Sequence, residues 1–180
     1  PSGTFKQAHE YGFGDKSSLD PASRGRVMQI TEKLMSRLIR PDMKGSPSPD
    51  LAVSWSANSQ ATEWTLKLRD GVKFHDGSAF DSGDVIYTFN RVLNPENKSP
   101  ARSAIKMIEK MEAPDKSTIT FKLSTPFADL PLQLMDYRLR IIPEGSGDSI
   151  AASGIGTGPF KLVKFDAAGT SKLEANMDYW

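Results

Sequence analysis

Alternation of apolar and polar residues is strongest between Thr62 and Arg69. The positions that share one side are Thr62, Trp64, Leu66 and Leu68, and charged or polar residues lie between them. Successive side chains of a β-strand point to opposite faces of the sheet, so a period of two is typical of a half-buried strand. The pattern predicts such a strand here.

Two Asp-Gly pairs and a helix start follow this strand. Gly71 and Gly77 each come after an Asp, and this pair favours tight turns because Gly adopts positive φ without steric cost. The stretch therefore predicts strand, turn, strand, turn and helix, with Asp81 as the helix cap and Asp84 at the third helical position. The apolar side of the helix is formed by Val85, Phe89 and Val92.

Other elements follow from the same periodicities and from the positions of Pro and Gly. Helices are predicted over Val27–Arg40, from Ser99 to about Met111, and over Thr125–Met135. Strands are predicted over Thr4–His9, Thr118–Leu123 and Leu139–Ile142, followed by a hairpin that runs from Phe160 to Ala175 around a turn at 167–169. The polar segment Asp42–Asp50 is predicted to connect two subdomains.

Composition narrows the function classes. The chain has 180 residues, 38% hydrophobic and 25% charged, which is typical of a soluble globular protein of one domain or two small ones. Its net charge is +1, without a block of like charge, so neither a nucleic-acid footprint nor a membrane-surface patch is indicated. The absence of cysteine excludes thiolate catalysis, disulfides and cysteine metal sites.

Targeting signals are not visible in these residues. No run approaches the roughly 18 apolar residues that a membrane-spanning helix requires. No signal-peptide pattern, a positively charged region followed by an apolar one, precedes Pro1. A chain that begins with Pro1 and not with Met is expected to be a processed or shortened product, so any signal peptide would lie outside it.

A glycine cluster is the first candidate for chemistry. Gly154, Gly156 and Gly158 are spaced like a phosphate-binding loop. A dinucleotide fingerprint needs a glycine where this chain has Pro159, and a P-loop needs a Lys and a Ser or Thr that are absent. A backbone bend explains the cluster better, and no nucleotide or other cofactor is expected.

Histidines and carboxylates provide no catalytic constellation. His75 next to Asp76 suggests a base with an orienting carboxylate, but adjacent residues of a strand point to opposite faces, and no nucleophile motif accompanies them. A structural role in the turn is the expected one. Glu32, Asp81 and Asp84 have helix-surface or capping explanations. We therefore expect no catalytic residues and no metal site.

The order of motifs resembles one family. The block TEWTLKLRDGVKFHDG is similar to the signature of the peptide-, dipeptide- and nickel-binding proteins of ABC importers, solute-binding protein family 5. Further segments that resemble this family, in the family's order, are Leu19-Asp20-Pro21, PDLAVSW at 49–55, EAPD at 112–115, GTGPF at 156–160 and DYW at 178–180. The resemblance extends over nearly the whole chain.

The resemblance implies an architecture. Family members have two α/β lobes that close on a ligand, with an additional subdomain in the first lobe. On that template the fold class is α/β, a periplasmic-binding-protein-like class II lobe that is incomplete and carries an inserted α+β accessory subdomain. Residues 1–43 and 154–180 correspond to the core lobe and residues 44–153 to the accessory subdomain, and the second lobe would be absent.

The resemblance also implies a function. It points to a non-enzymatic extracytoplasmic receptor that captures a peptide or dipeptide-like ligand and delivers it to an ABC permease, without nucleic acid and as a monomer. Other solutes of the family, such as nickel chelates, opines and sugars, stay open, as does a structural or signalling module. The location would be periplasmic or extracellular, with lipid anchoring as an open alternative.

The expected ligand contacts lie in two places. The loop after Leu19-Asp20-Pro21 matches the part of the first lobe that approaches the ligand, which suggests Ser23, Arg24, Gly25 and Arg26. Solvated arginines in a loop before a helix are the simpler alternative. Ala101 matches a position where some oligopeptide-binding members carry an aromatic contact, and Ala removes that contact.

Overall fold

The computed structural model describes residues 17–24, 27–166 and 170–180. Its helices are α1 (Met28–Leu34), α2 (Ser82–Leu93), α3 (Arg102–Ile105), α4 (Leu130–Leu134) and α5 (Ile150–Ser153), with a 3₁₀ turn at Pro95–Asn97. Its strands are β1 (Ile39–Pro41), β2 (Pro47–Pro49), β3 (Ala52–Ala57), β4 (Glu63–Leu68), β5 (Ile108–Asp115), β6 (Thr118–Leu123), β7 (Phe160–Lys164) and β8 (Lys172–Ala175). The predicted strand Thr4–His9, the turn at 167–169, and Gly25 and Arg26 lie outside the described residues.

A four-stranded antiparallel sheet in the order β3-β4-β6-β5 organises the chain. Its second strand, β4, is the one predicted from the alternation. Trp64, Leu66 and Leu68 are buried on one face, and Leu66 lies opposite Trp55 of β3 and Ile119 of β6. The predicted strand is confirmed, and it is paired on both edges.

Helix α2 covers this sheet. Asp81 accepts a hydrogen bond from the Gly83 amide at 2.8 Å, and the Asp81 amide donates to Asp84 at 2.8 Å, so both halves of a capping box are present. The buried Phe89 of α2 stacks on Phe121 of β6 with ring centroids 5.1 Å apart. The predicted cap and apolar side of this helix are confirmed.

The segment between β4 and α2 turns twice, as predicted. Gly71 and Gly77 have φ values of +74° and +89°. The prediction of a strand between these turns is wrong, because the described residues there form an isolated bridge between Lys73 and Ala79 and no ladder. The few residues between the turns leave no length for a ladder, although Val72 and Phe74 are buried.

The first helix is shorter than predicted. It was expected to reach Arg40, but α1 ends at Leu34 and Met35 is already extended, with φ of −132° and ψ of 135°. The apolar residues that continued the helical spacing, Leu38 and Ile39, are buried in the core of the sheet instead. The Leu38 carbonyl accepts a hydrogen bond from the Ala52 amide at 2.9 Å. Pairing with the chain near β3 therefore replaces the last helical turns.

The helix predicted from Ser99 to Met111 is also largely wrong. Only α3 is helical, and the following residues form β5, which pairs with β6. Ile105 and Ile108 are buried, as the helical spacing required, but Ile108 lies opposite Leu123 in the sheet. The exposed edge of β6 needs hydrogen-bond partners, and this tertiary requirement outweighs the local helical pattern.

Several short elements differ from the prediction in extent. In place of a helix from Thr125, α4 begins at Leu130, with Pro131 in its first turn. The predicted strand Leu139–Ile142 is an isolated bridge between Arg37 and Arg140. The predicted connection Asp42–Asp50 contains β2, which pairs with β1. The predicted C-terminal hairpin is confirmed as β7 and β8.

Buried apolar side chains of the described residues form two clusters. The larger one lies between the sheet, α2 and the residues that follow α1. The smaller one joins Leu19, α1, Ile142 and Ile150. The glycine segment passes directly against α1, since a Cβ added at Gly156 would lie 2.2 Å from the Leu34 carbonyl oxygen. This close approach explains why glycine occupies that position.

Candidate functional site

The loop before α1 is held in place by its ends. Leu19 is fully buried, and its amide donates to the Ala151 carbonyl at 3.1 Å. The Val27 amide donates to the Ser18 carbonyl at 2.9 Å. Asp20 accepts a hydrogen bond from the Ala22 amide at 2.9 Å, a local turn that Asp favours. Hydrogen bonds of the Leu19 and Val27 amides therefore anchor both ends of the loop.

An ion pair ties this loop to α2. Arg91 donates to both carboxylate oxygens of Asp20, at 2.9 Å from Nη1 and 2.5 Å from Nη2. Both side chains are mostly buried, 19% and 13% exposed. The hydrogen bonds to Asp20 raise the pKa of Arg91 above its ordinary value. Arg91 also faces the Gly147 carbonyl at 3.5 Å, so one guanidinium joins three segments.

An open cavity of about 450 Å³ lies next to this pair. It is lined by Asp20, Ala22, Ser23, Arg24, Arg91, Asn97 and Lys98. Arg24 is exposed. Lys98 lies after the 3₁₀ turn with φ of +48°. The lining is thus polar and contains more basic than acidic side chains, which suits a ligand with a carboxylate and backbone carbonyl groups.

The predicted contact residues are only partly brought together. Ser23 and Arg24 line the cavity, while Gly25 and Arg26 lie outside the described residues. Ala101 does not line it. It is fully buried, and its amide donates to the Ser99 hydroxyl at 3.3 Å. Its correspondence to a ligand contact stays a prediction.

Sequence reasoning missed the wall of the cavity. Arg91, Asn97 and Lys98 were not predicted to belong to a site. The motif containing Asp20 was recognised, but nothing in the sequence indicated that its carboxylate pairs with a residue 71 positions away. The ion pair depends on how α2 packs, so it could be found only in three dimensions.

His75 has a structural role in the fold. The Gly156 amide approaches Nδ1 at 3.3 Å, and Nε2 lies 3.0 Å from the Gly158 carbonyl oxygen. A neutral ring with its proton on Nε2 satisfies both contacts. Burial lowers the pKa of His75 below its ordinary value, which favours this neutral form. The side chain therefore fastens the glycine segment to the turn after β4, as the structural interpretation expected.

The described residues contain no group of three or more His, Cys, Asp or Glu side chains placed to hold a metal ion. Within the same part of the chain, no helix combines the length and the apolar character needed to cross a bilayer.

A double-mutant cycle tests the ion pair. We expect Asp20→Asn and Arg91→Gln to show a coupling free energy of about 1.5–3 kcal/mol, because both charges are mostly buried and the pair is bidentate. Urea unfolding of the wild type, both single variants and the double variant measures it. The control is the exposed pair of Lys110 and Glu112, 2.7 Å apart, whose coupling should stay within about 0.2–1 kcal/mol. Equal coupling of the two pairs would contradict the anchoring role.

Sequence comparison places the chain in a family. Residues 46–180 match the family model described as bacterial extracellular solute-binding proteins, family 5, middle region. The chain belongs to this family, and the resemblance read from its motifs is confirmed. Members of the family are solute-binding proteins and not enzymes.

Individual relatives are much longer than this chain. It is 35% identical to the glutathione-binding protein GsiB of Pectobacterium atrosepticum over 134 residues, which is 72% of this chain and 26% of GsiB. The structure of this chain aligns with AgaA of A. tumefaciens R10 in complex with agropinic acid, with a TM-score of 0.83 and 29% identity. The alignment covers 91% of this chain and 34% of AgaA. The structure also aligns with DppA of Helicobacter pylori in complex with the peptide STSA, with TM-score 0.80, 27% identity and coverage of 91% and 38%. The predicted α/β periplasmic-binding-protein-like class is thereby confirmed.

Proposed function

We propose that this chain forms part of an extracytoplasmic solute receptor of an ABC import system, which captures a peptide or dipeptide-like ligand and delivers it to a membrane permease. The observation that carries the proposal is the open cavity beside the Asp20–Arg91 pair, in a chain of the solute-binding family. GsiB is named for binding glutathione and DppA was solved with a peptide. Both names support a peptide-like ligand.

The chemistry of the cavity supports this ligand class. Arg24 and Lys98 supply positive charge at its lining, and a peptide offers a terminal carboxylate and backbone carbonyls as acceptors. Arg91 is already engaged by Asp20, so its role is to hold the loop. The remaining predicted contacts, Gly25 and Arg26, belong to the same loop and are part of the proposal.

We assign the chain regions as the resemblance implied. Residues 1–43 and 154–180 would build a core lobe, and this is supported by the packing of β7 against α1. Residues 44–153 would form an accessory subdomain around the four-stranded sheet. The β1–β2 hairpin joins the two regions at their boundary. A second lobe, which the longer relatives have room for, would close over the ligand.

A second candidate ligand is an opine or another small solute such as a nickel chelate or a sugar. The alignment with AgaA in complex with agropinic acid favours the opine among these. Agropinic acid also carries a carboxylate, so the basic lining of the cavity suits both classes. The proposed receptor acts outside the cytoplasm as a monomer, with lipid anchoring as an additional proposal.

Ligand titration tests the receptor and its need for two lobes. We expect the intact gene product to bind glutathione, the peptide STSA or agropinic acid saturably in calorimetry. Residues 1–180 alone should bind at least about a hundredfold more weakly, because each lost hydrogen bond removes about 0.5–1.5 kcal/mol and tenfold in affinity corresponds to about 1.4 kcal/mol. Submicromolar binding by residues 1–180 would contradict the two-lobe mechanism, and no binding by the intact product would contradict the receptor.

The loop assignment is tested by one substitution in the intact gene product. Arg24→Gln should weaken binding of a carboxylate-bearing ligand by about 1.5–3 kcal/mol, the value of a hydrogen bond to a charged group. Arg102→Gln is the control, since Arg102 is also exposed and lines neither cavity described in this chain. An equal effect of both substitutions, or none from Arg24→Gln, would reject the assignment.

A further inference from the structure

A second cavity lies at the opposite end of α1 from the loop. It has a volume of about 310 Å³ and is lined by residues that include Ser36, Arg37, Arg40, Asp50, Arg140 and Tyr179. It shares no lining residue with the cavity beside Asp20 and Arg91. We refer to it as the arginine cavity, because three guanidinium groups line it.

Among the described residues, the three guanidinium groups donate their hydrogen bonds to backbone oxygens. Arg140 donates from Nη1 to the Met35 carbonyl, and Arg37 donates from Nη1 to the Met135 carbonyl. Arg40 donates from Nε to the Pro49 carbonyl at 3.1 Å. Within the described part of the chain, none of the three forms a salt bridge to a carboxylate within 4.0 Å. The described residues therefore provide no counterion in direct contact with these three charges.

Arg140 is the most deeply buried of the three arginines, and one of its donors has no hydrogen-bond partner in the described part of the chain. Arg140 is 4% exposed, and its Nε atom is buried without a hydrogen-bond partner among the described residues. Burial, and then the nearby charge of Arg37, lower the pKa of Arg140 to about 10, so the group is still a cation at neutral pH. A buried cation is costly unless an anion and hydrogen-bond acceptors accompany it.

The two acidic residues of the cavity, Glu32 and Asp50, form no salt bridge to its guanidinium groups within the described part of the chain. Asp50 accepts a hydrogen bond from the Arg37 amide at 3.0 Å. Its carboxylate attracts Arg37, Arg40 and Arg140 electrostatically without forming a salt bridge to them. Burial raises the pKa of Asp50 above its ordinary value. Glu32 pairs with Lys33 at 3.0 Å. The lining contains four basic and two acidic residues, so positive charge dominates.

We propose that the arginine cavity binds a small oxyanion, a molecule with a carboxylate or phosphate group placed against Arg37, Arg40 and Arg140. Guanidinium donors match the oxygens of either group, and an oxyanion would supply the negative charge that the described residues do not place in contact with the three arginines. The volume is at the lower end of the roughly 300–1,000 Å³ typical of ligand pockets. The site is independent of the proposed solute cavity.

Anion titrations at constant ionic strength test the site. Inorganic phosphate and succinate are added separately to the protein, with sodium chloride as the third arm, and binding is followed by calorimetry and by the melting temperature. We expect at least one of the two oxyanions to bind saturably at one site and to raise the melting temperature more than chloride does. Phosphate alone would assign a phosphate group, and succinate alone a carboxylate. The same small, unsaturable effect from all three salts would overturn the proposal.

Three substitutions locate the binding. Arg40→Gln should weaken the oxyanion at least fivefold, whereas Arg102→Gln should not, although both residues are exposed and donate from Nε to a backbone carbonyl. Ser36→Asp places a carboxylate in the cavity wall and should raise the melting temperature without added anion while abolishing oxyanion binding. Equal weakening by Arg40→Gln and Arg102→Gln, or full oxyanion binding by a folded Ser36→Asp protein, would overturn the proposal.

Discussion

Replacing Phe121 by alanine should lower the free energy of unfolding by about 3–5 kcal/mol. Phe121 is fully buried in β6. It lies opposite Trp64 of β4 and Met111 of β5, and its ring stacks on Phe89 of α2. The substitution removes a buried ring and leaves a cavity at the point where the helix meets the sheet, which cannot collapse without moving α2.

Urea unfolding followed by circular dichroism measures this loss. The matched control is Phe160→Ala in β7, where the aromatic residue is 38% exposed. Less buried area is lost there, so the expected cost is about 1–2 kcal/mol, a fraction of the roughly 1.5–3 kcal/mol for a fully buried Phe. Equal losses for the two variants would mean that the sheet and α2 do not form the main core.

Substituting Gly156 by alanine should destabilise the protein by about 3 kcal/mol or more, at the upper end of the range for overpacking. The added Cβ would lie 2.2 Å from the Leu34 carbonyl oxygen and 2.6 Å from Cγ of Met35. The backbone cannot simply shift away, because the Gly156 carbonyl accepts from the His75 amide at 2.9 Å. The clash therefore acts on α1 and on the turn of His75 together.

Gly45→Ala separates this contact from backbone strain. Gly45 has φ of +82°, and a Cβ there would meet no atom within 4 Å. Its substitution should cost only about 1–2 kcal/mol, the price of a left-handed conformation. Chemical denaturation of both variants compares the two effects, and a Gly156→Ala protein as stable as Gly45→Ala would show that the glycine segment does not pack tightly on α1.

Prediction from sequence succeeded where the decisive interactions are local. The Asp-Gly turns, the capping box from Asp81 and the alternation in β4 each depend on residues within a few positions of one another. The structure places all three as expected. The motif order led in the same way to the correct family.

Prediction failed where an element depends on a distant partner. Ile105, Ile108 and Met111 have a helical spacing, but from Ile108 onward the chain is β5, to which β6 supplies a ladder of hydrogen bonds. Leu38 and Ile39 likewise continue a helical pattern and are instead buried against the sheet. Spacing alone could not distinguish these outcomes, since the same residues are buried in either case.

In the candidate site, too, the local loop residues were predicted and the residues brought in by tertiary packing were not. Ser23 and Arg24 were predicted from the loop motif and do line the cavity. The cavity wall from Arg91 to Lys98 was not predicted, because it depends on the pairing of Asp20 with α2. The arginine cavity was missed altogether, since Arg37 and Arg140 are separated by about a hundred residues and meet only through an isolated bridge.

Neighbouring residues or the order of motifs encode the turns, the helix cap, the alternating strand and the family, so all four could be predicted from the sequence. Three features required the three-dimensional structure: the end of α1, the strand β5, and the guanidinium groups that lack a contacting counterion among the described residues. These depend on hydrogen bonds and burial supplied by residues far apart in the chain. The order of residues along the chain does not show which distant residues meet, because that depends on how the folded chain packs.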